Sequence, residues 1–150
     1  MARTYIPNGY HAVTPYLIAS DGERLIDFLK EVFLAKELVR QTTGGGGTHV
    51  ELLVGDSRIM VGIGGDVATP LSGMYLVYVP EVDAAHARAV AAGAVSIEEP
   101  GDQPYGDRRA GVKDAFGNMW YMSSPLKKPS ARKSKPAKRS KVRTTGRRRK

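Results

Sequence analysis

The chain contains an internal duplication, and this feature constrains its fold more than any other. A shift of sixty residues places Thr14 on Met74, Asp21 on Glu81 and Val32 on Ala92, and it superimposes the predicted elements. Each half has the order β-α-β-β-β. One such unit cannot close its own core, whereas two can pack together. We therefore predict an α+β fold of two tandem βαβββ modules that form a concave groove, with helices covering the outer faces.

Periodicity gives the elements of each module. Residues 21–33 have helical spacing, with Leu25, Phe28, Leu29 and Val32 on one face, and an Ala-rich helix over 81–94 is stopped by Gly93. Strands are predicted within residues 11–20, 36–43, 48–55, 57–63, 73–80 and 95–100. Two more strands lie within 103–124, joined by a tight turn in which Asp114, Gly117 and Asn118 are turn residues, with Gly117 and Asn118 at positive φ.

Charge divides the chain into two parts. Residues 127–150 contain thirteen Lys or Arg and no acid, whereas residues 1–126 contain ten Lys or Arg and fifteen Asp or Glu, a net charge of −5. Residues 127–150 have almost no apolar content and cannot form a core. We predict a folded domain over 1–126 and a disordered basic tail over 127–150.

A tail of this composition favours binding to polyanions. It has no aromatic residues, so neither base stacking nor sequence readout is expected, and any contact with DNA or RNA would be non-specific. The predicted contacts are all the basic side chains of the tail: Lys127, Lys128, Arg132, Lys133, Lys135, Lys138, Arg139, Lys141, Arg143, Arg147, Arg148, Arg149 and Lys150.

The chain has no cysteine, which excludes disulfides, thiolate zinc sites and Cys nucleophiles. No apolar run reaches the roughly 20 residues that a membrane span needs, and the first twenty residues lack the apolar core of a signal peptide. We expect a cytoplasmic protein that does not associate with membranes, with nucleoid association if the tail binds nucleic acid.

Three segments identify a family. The stretches "PYLIASDGERLIDFLKEVF", "VELLVGDSRIMVG" and "YGDRRAGVKDAFGNMWYMSS", in this order of elements, resemble the vicinal oxygen chelate superfamily of glyoxalases, extradiol dioxygenases and bleomycin-resistance proteins. Within it, the sequence most resembles the PhnB-like subgroup. The resemblance covers roughly residues 9 to 124 and none of the tail.

The resemblance implies a divalent metal in the groove, held by the first and last strands of each module. The corresponding positions here are Thr14, Met60, Met74 and Tyr121, which offer no imidazole and no carboxylate. We therefore predict no cofactor and do not favour a metal. A weaker alternative is a metal or proton-shuttle site at His49 and Glu51, which share a strand face.

Alternation along the strands predicts the lining of the groove. If Tyr121 points into it, Met119 and Ser123 do too, while Trp120 and Met122 face the helices. The ligand-binding set is aromatic, thioether and hydroxyl-bearing with one cation: Thr14, Tyr16, Met60, Met74, Tyr78, Tyr105, Arg108 and Tyr121. For Arg108, a salt bridge with Asp107 or Asp114 is an equal alternative. The other two histidines, His11 and His86, are expected at the surface.

Three functions fit these features. The first is a homodimeric protein that binds a small organic molecule without the usual metal set. The second is a metal-dependent lyase or dioxygenase-type enzyme with a non-standard ligand set. The third is a module tethered to nucleic acid through its tail. The sequence leaves open whether a reaction is catalysed.

Overall fold

The computed structural model describes residues 5–65 and 69–127. Within them the elements are β1 (Tyr16–Ile18), α1 (Gly22–Phe33), β2 (Lys36–Thr42), β3 (Thr48–Val54), β4 (Ser57–Ile63), β5 (Met74–Tyr78), α2 (Val82–Ala91), β6 (Val95–Asp102), β7 (Asp107–Lys113) and β8 (Met119–Pro125). The predicted order of elements is confirmed. Strand β1 covers only three residues of the β-rich segment 11–20, and β6 extends two residues beyond the predicted end at residue 100.

The strands form two four-stranded sheets with the same topology, which confirms the α+β fold of two modules. The first sheet has the order β1-β4-β3-β2 and the second has β5-β8-β7-β6. In each sheet the first strand pairs parallel to the last, so Tyr16 lies opposite Met60 and Leu76 lies opposite Tyr121. The other pairs are antiparallel.

The two helices begin at residues that correspond under the sixty-residue shift. Asp21 and Glu81 are the two N-cap residues. The Asp21 side chain accepts a hydrogen bond from the backbone N–H of Arg24 at 3.1 Å, which satisfies a donor that the helix leaves free. Helix α1 ends at Leu34, whose φ of 56° is left-handed and whose N–H donates to the Leu29 carbonyl.

The two modules are joined through their helices and one aromatic cluster. Helix α1 contacts β4 and α2, and α2 packs on β6, β7 and β8. Trp120 of β8 is fully buried, with its ring centroid 4.6 Å from Tyr75, 5.3 Å from Phe33 and 6.4 Å from Phe28. Because Phe28 and Phe33 belong to α1, this cluster connects the first module to the last strand of the second.

A side chain also connects the helices. The guanidinium of Arg88 on α2 donates from Nε and Nη2 to the carbonyl of Val32, at 3.1 and 2.8 Å. This carbonyl lies in the last turn of α1, where backbone acceptors have no partner within the helix. A side chain of the second module thereby donates hydrogen bonds to a free carbonyl at the C-terminal end of α1.

Asp114 is more than a turn residue. Its buried carboxylate accepts four hydrogen bonds of 2.8–2.9 Å, from the backbone N–H groups of Phe116 and Asn118, from Asn118 Nδ2 and from Trp120 Nε1. Gly117 has the predicted positive φ, of 85°, but Asn118 does not. Asn118 is buried instead, and its Oδ1 accepts from the N–H of Gly73 at 2.9 Å, which fixes its conformation by a tertiary contact.

The predicted tail lies outside the described residues, except for Lys127. The nucleic-acid contacts assigned to the basic residues of the tail, Lys127 included, stay predictions. Within the described part of the chain, neither helix is long and apolar enough to span a membrane.

Replacing Asp114 by alanine should lower the free energy of unfolding by about 3 kcal/mol, because buried donors of Trp120 and Asn118 lose their acceptor. Denaturant unfolding followed by tryptophan fluorescence measures this change. The control is Asp27→Ala, on the exposed side of α1, which should stay within about 0.5 kcal/mol of the parent. Equal effects of the two substitutions would contradict the role given to Asp114.

Candidate functional site

The second sheet has one face that the helices do not cover, here called the second open face. On β5 the side chains of Met74, Leu76 and Tyr78 are 62%, 50% and 68% exposed, whereas the alternate residues Tyr75 and Val77 pack against the core. On β8, Trp120 and Met122 are fully buried, as alternation predicts. Ser123 was predicted on the groove side, but it is buried because its hydroxyl donates to Asp107 Oδ2 at 2.8 Å.

Tyr121 lies across the backbone of the neighbouring strand. Gly111 of β7 is opposite Tyr121 in the antiparallel pair. A Cβ atom at Gly111 would be 2.9 Å from Cε1 of Tyr121, too close for a real contact. The tyrosine ring can occupy this position because residue 111 has no side chain.

Arg109 supplies a cation next to this ring. Its guanidinium lies 5.2 Å from the centroid of the Tyr121 ring and 6.0 Å from that of Tyr105. Glu98 accepts two hydrogen bonds from it, both of 2.9 Å, and these bonds raise the pKa of Arg109. The guanidinium is therefore held in place while its face remains against aromatic rings.

These side chains border two adjoining pockets. The open-face pocket, of about 420 Å³, is lined by Met74, Tyr75, Leu76, Arg109 and Tyr121. The junction pocket, of about 330 Å³, lies at the boundary of the modules and is lined by Val13, Pro15, Val54, Gly55, Asp56, Ser57, Ile59, Tyr75, Leu76, Val77, Tyr78 and Trp120. Tyr75 and Leu76 line both pockets, so β5 is the strand that the two pockets share.

The structure brings together part of the predicted ligand-binding set. Met74 and Tyr121 line the open-face pocket, Tyr78 lines the junction pocket, and Tyr105 lies beside Arg109. The remaining members on the first module, Thr14, Tyr16 and Met60, line neither pocket. Tyr16 and Met60 are paired on the first sheet.

The arginine selected from the sequence points the wrong way for this pocket. Arg108 donates to both carboxylate oxygens of Asp83 on α2, at 2.5 and 2.7 Å, and to Asp102 at 2.8 Å. The predicted salt-bridge partners, Asp107 and Asp114, were wrong, because Arg108 pairs with Asp83 and Asp102. The role of Arg108 in ligand binding stays a prediction. Strand alternation would have selected Arg109 instead. Gly111 is opposite Tyr121, and Arg109 is two residues from Gly111 on the same strand, so Arg109 points to the same face of the sheet as Tyr121.

His86 is a second correction. It is buried rather than exposed, and its Nε2 is 2.8 Å from the hydroxyl of Ser96 on β6. The alanines around it are small enough for α2 to approach the sheet closely. Its role in the described structure is to pack the helix against β6.

A polar cluster occupies the corresponding face of the first sheet, the first open face. Glu51 is only 7% exposed, and its Oε2 accepts from Tyr10 Oη and Arg58 Nη1, both at 2.7 Å. His49 Nε2 lies 3.3 Å from Glu51 Oε1, and His49 Nδ1 lies 3.0 Å from Tyr16 Oη. The burial of Glu51 raises its pKa, but the hydrogen bonds from Tyr10, His49 and Arg58 outweigh burial, so the pKa is lowered overall.

These donors do not fit the metal that the family resemblance implies. The four corresponding positions carry Thr14, Met60, Met74 and Tyr121. At the alternative position, the Glu51 carboxylate is already engaged by a guanidinium and a phenol on one oxygen and faces His49 with the other. Over residues 5–65 and 69–127, no group of three His, Cys, Asp or Glu side chains is arranged to hold an ion.

Comparisons with known proteins agree with this architecture. The family model described as the Glyoxalase/Bleomycin resistance protein/Dioxygenase superfamily matches residues 10–122. An uncharacterized protein of Mycobacterium tuberculosis (strain ATCC 25618 / H37Rv) is 33% identical, with 77% of this chain and 75% of the relative covered.

Two solved structures show the same fold. TioX from Micromonospora sp. ML1 is 28% identical with a TM-score of 0.63, covering 77% of this chain and 99% of its own. TnmS3 from Streptomyces sp. CB03234, described as an antibiotic binding protein, is 22% identical with a TM-score of 0.62, covering 83% of this chain and 98% of its own.

Proposed function

The chain belongs to the glyoxalase/bleomycin resistance protein/dioxygenase superfamily, and we propose that it binds a small organic molecule in the open-face and junction pockets, without the metal used by enzymes of this superfamily. The observation that carries the proposal is the exposed apolar row of β5, which lies beside the Tyr121 ring and the Arg109 guanidinium. Such a lining provides apolar area, a ring to stack on and one fixed cation.

The chemistry of the lining indicates the kind of ligand. Met74 and Leu76 present flexible apolar surface, and Tyr121 presents an aromatic ring that lies against the backbone of Gly111. A flat, largely apolar molecule gains buried area here, and stacking on an aromatic ring adds about 0.5–1.5 kcal/mol. TnmS3, which has the same fold, is an antibiotic binding protein, and this supports binding of a small organic molecule as the function proposed here.

The alternative is a metal-dependent lyase or dioxygenase-type enzyme with a non-standard ligand set. The 3.3 Å contact of His49 with Glu51 is the observation in its favour. The engagement of Glu51 by Arg58 and Tyr10 argues against it, because a metal would have to displace both. Membership of the PhnB-like subgroup and a cytoplasmic location stay predictions.

A thermal-shift screen of planar aromatic compounds should find ligands that raise the melting temperature, since binding stabilises the folded state by mass action. For such a ligand, Tyr121→Ala should raise the Kd by roughly tenfold, because about 1.4 kcal/mol of stacking and contact is lost. Isothermal titration calorimetry measures the Kd.

The matched control is Tyr5→Ala, which removes an exposed tyrosine that lines neither pocket and should leave the Kd unchanged. Equal Kd values for Tyr121→Ala and the parent chain would contradict the site. A stoichiometric zinc, nickel, iron or manganese ion in the purified protein would favour the enzyme alternative.

We further propose that the chain forms a homodimer. Leu38 on β2 and Val95 and Ile97 on β6 are large apolar side chains exposed at the surface of the single chain, and burying them against a second copy is favourable. The outer strands β2 and β6 also have unpaired edges within their sheets. Light scattering at micromolar concentration should give the mass of two chains, and the mass of one chain would contradict the proposal.

The basic tail is proposed to tether the protein to nucleic acid, which would place it at the nucleoid. The tail carries thirteen Lys or Arg, whereas residues 1–126 have a net charge of −5, so phosphates are attracted to the tail and not to the domain. If about six phosphates are neutralised, the logarithm of the binding constant should fall with the logarithm of salt concentration at a slope near −5. A gel-shift assay at graded salt measures this slope.

Deletion of residues 127–150 should abolish the shift, because the remaining domain is acidic. DNA binding that survives the deletion would refute the role of the tail.

A further inference from the structure

We propose that Tyr16, His49 and Glu51 form a proton relay that makes the first open face a general-base site for small organic molecules with a weakly acidic proton. The relay lies on the first sheet, whereas the proposed ligand pocket is lined by the second sheet and the module boundary. The two proposals can therefore fail independently.

The geometry is a continuous chain from solvent to a buried carboxylate. Tyr16 is 49% exposed, the His49 side chain is 13% exposed and Glu51 is 7% exposed. The phenol oxygen is 3.0 Å from His49 Nδ1, and His49 Nε2 is 3.3 Å from Glu51 Oε1. The Tyr16 and His49 rings are tilted by 38°, with centroids 5.5 Å apart.

The strands dictate this alignment. His49 and Glu51 are two residues apart on β3, so both point to the same face. Glu51 lies opposite Met60 on β4, and Met60 lies opposite Tyr16 on β1, which places the phenol on that same face. Opposite His49 lie the uncharged residues Gln41 on β2 and Gly62 on β4.

The hydrogen bonds assign the protons. Arg58 and Tyr10 both donate to Glu51 Oε2, so the carboxylate is ionised and can only accept. His49 Nε2 must then carry the proton that faces Glu51, and the neutral imidazole has a bare Nδ1. Tyr16 donates its hydroxyl proton to this nitrogen and leaves the phenol oxygen free to accept a proton from solvent or a ligand.

The proton transfer balances within the relay. A substrate C–H or O–H bond breaks, its electron pair stays on the substrate, and its proton passes to the Tyr16 oxygen. The original phenol proton moves at the same time to His49 Nδ1, which gives an imidazolium beside the ionised Glu51. Tyr16 therefore touches the substrate, His49 stores the proton and Glu51 is a positioning residue that stabilises the stored charge.

A structural role accounts for the contact of His49 with Glu51 but not for its contact with Tyr16. Arg58 and Tyr10 both donate to Glu51 Oε2, and His49 faces the other carboxylate oxygen, Oε1, while its second nitrogen lies against the phenol of Tyr16. The Arg58 guanidinium also lies over the Tyr10 ring, at 4.3 Å from the centroid, which holds both groups on the carboxylate without help from the histidine. The relay ends on a half-exposed phenol rather than in the core.

The test uses the full chain and 5-nitrobenzisoxazole, a flat probe whose ring opens to a coloured phenolate when a base removes its C–H proton. The parent protein should accelerate the reaction, and His49→Gln and Tyr16→Phe should each reduce the rate by about 10²-fold, a typical contribution of a positioned base. His11→Gln and Tyr5→Phe change the same residue types at exposed positions and should leave the rate unchanged.

Nitrogen NMR adds a readout that a structural role would not move. The spectrum of the parent protein should show His49 in the Nε2–H form, and Tyr16→Phe should change the Nδ1 signal because it removes the hydrogen bond to that nitrogen. A rate no higher in the parent than in His49→Gln would overturn the proposal. Full activity in Tyr16→Phe, or an Nδ1–H form of His49, would overturn the relay through the phenol.

Discussion

The contact between Trp120 and Asp114 determines the arrangement of the second module and its attachment to the first. The indole donates to a carboxylate that also organises the β7–β8 turn, and its ring packs against two phenylalanines of α1. Because Trp120 is held on the helix side, its neighbour Tyr121 must point to the opposite face of the strand. The position of the candidate pocket is thus a consequence of a core contact.

The duplication preserved topology and register but not chemistry. Tyr16 and Leu76 occupy matching positions opposite Met60 and Tyr121, so the two modules superimpose at the level of strand pairing. On the first open face the surrounding side chains are ionised or hydrogen-bonded, whereas on the second they are mainly apolar. Two copies of one scaffold therefore supply two different surfaces, one polar and hydrogen-bonded and the other largely apolar.

The elements could be predicted because each depends on local signals. Helical spacing, the Asp21 cap and the alternation of β3, β4 and β8 lie within single segments of sequence. The partners of Arg108 could not be predicted in the same way, because Asp83 is 25 residues away on a helix. The burial of His86 was missed because the Ala-rich helix has only a weak apolar face, and its partner Ser96 lies on another element.

The bare backbone at Gly111 has a consequence for how this protein can change. The Tyr121 ring lies where a methyl group on the adjacent strand would be, so the depth of the pocket is set by an atom that is missing from β7. Any side chain at this position would displace the Tyr121 ring, and it would also crowd Ile97 on β6, whose Cγ1 is 3.2 Å from the same point. A substitution of Gly111 would therefore change the shape of the second open face from the strand next to Tyr121, not from Tyr121 itself.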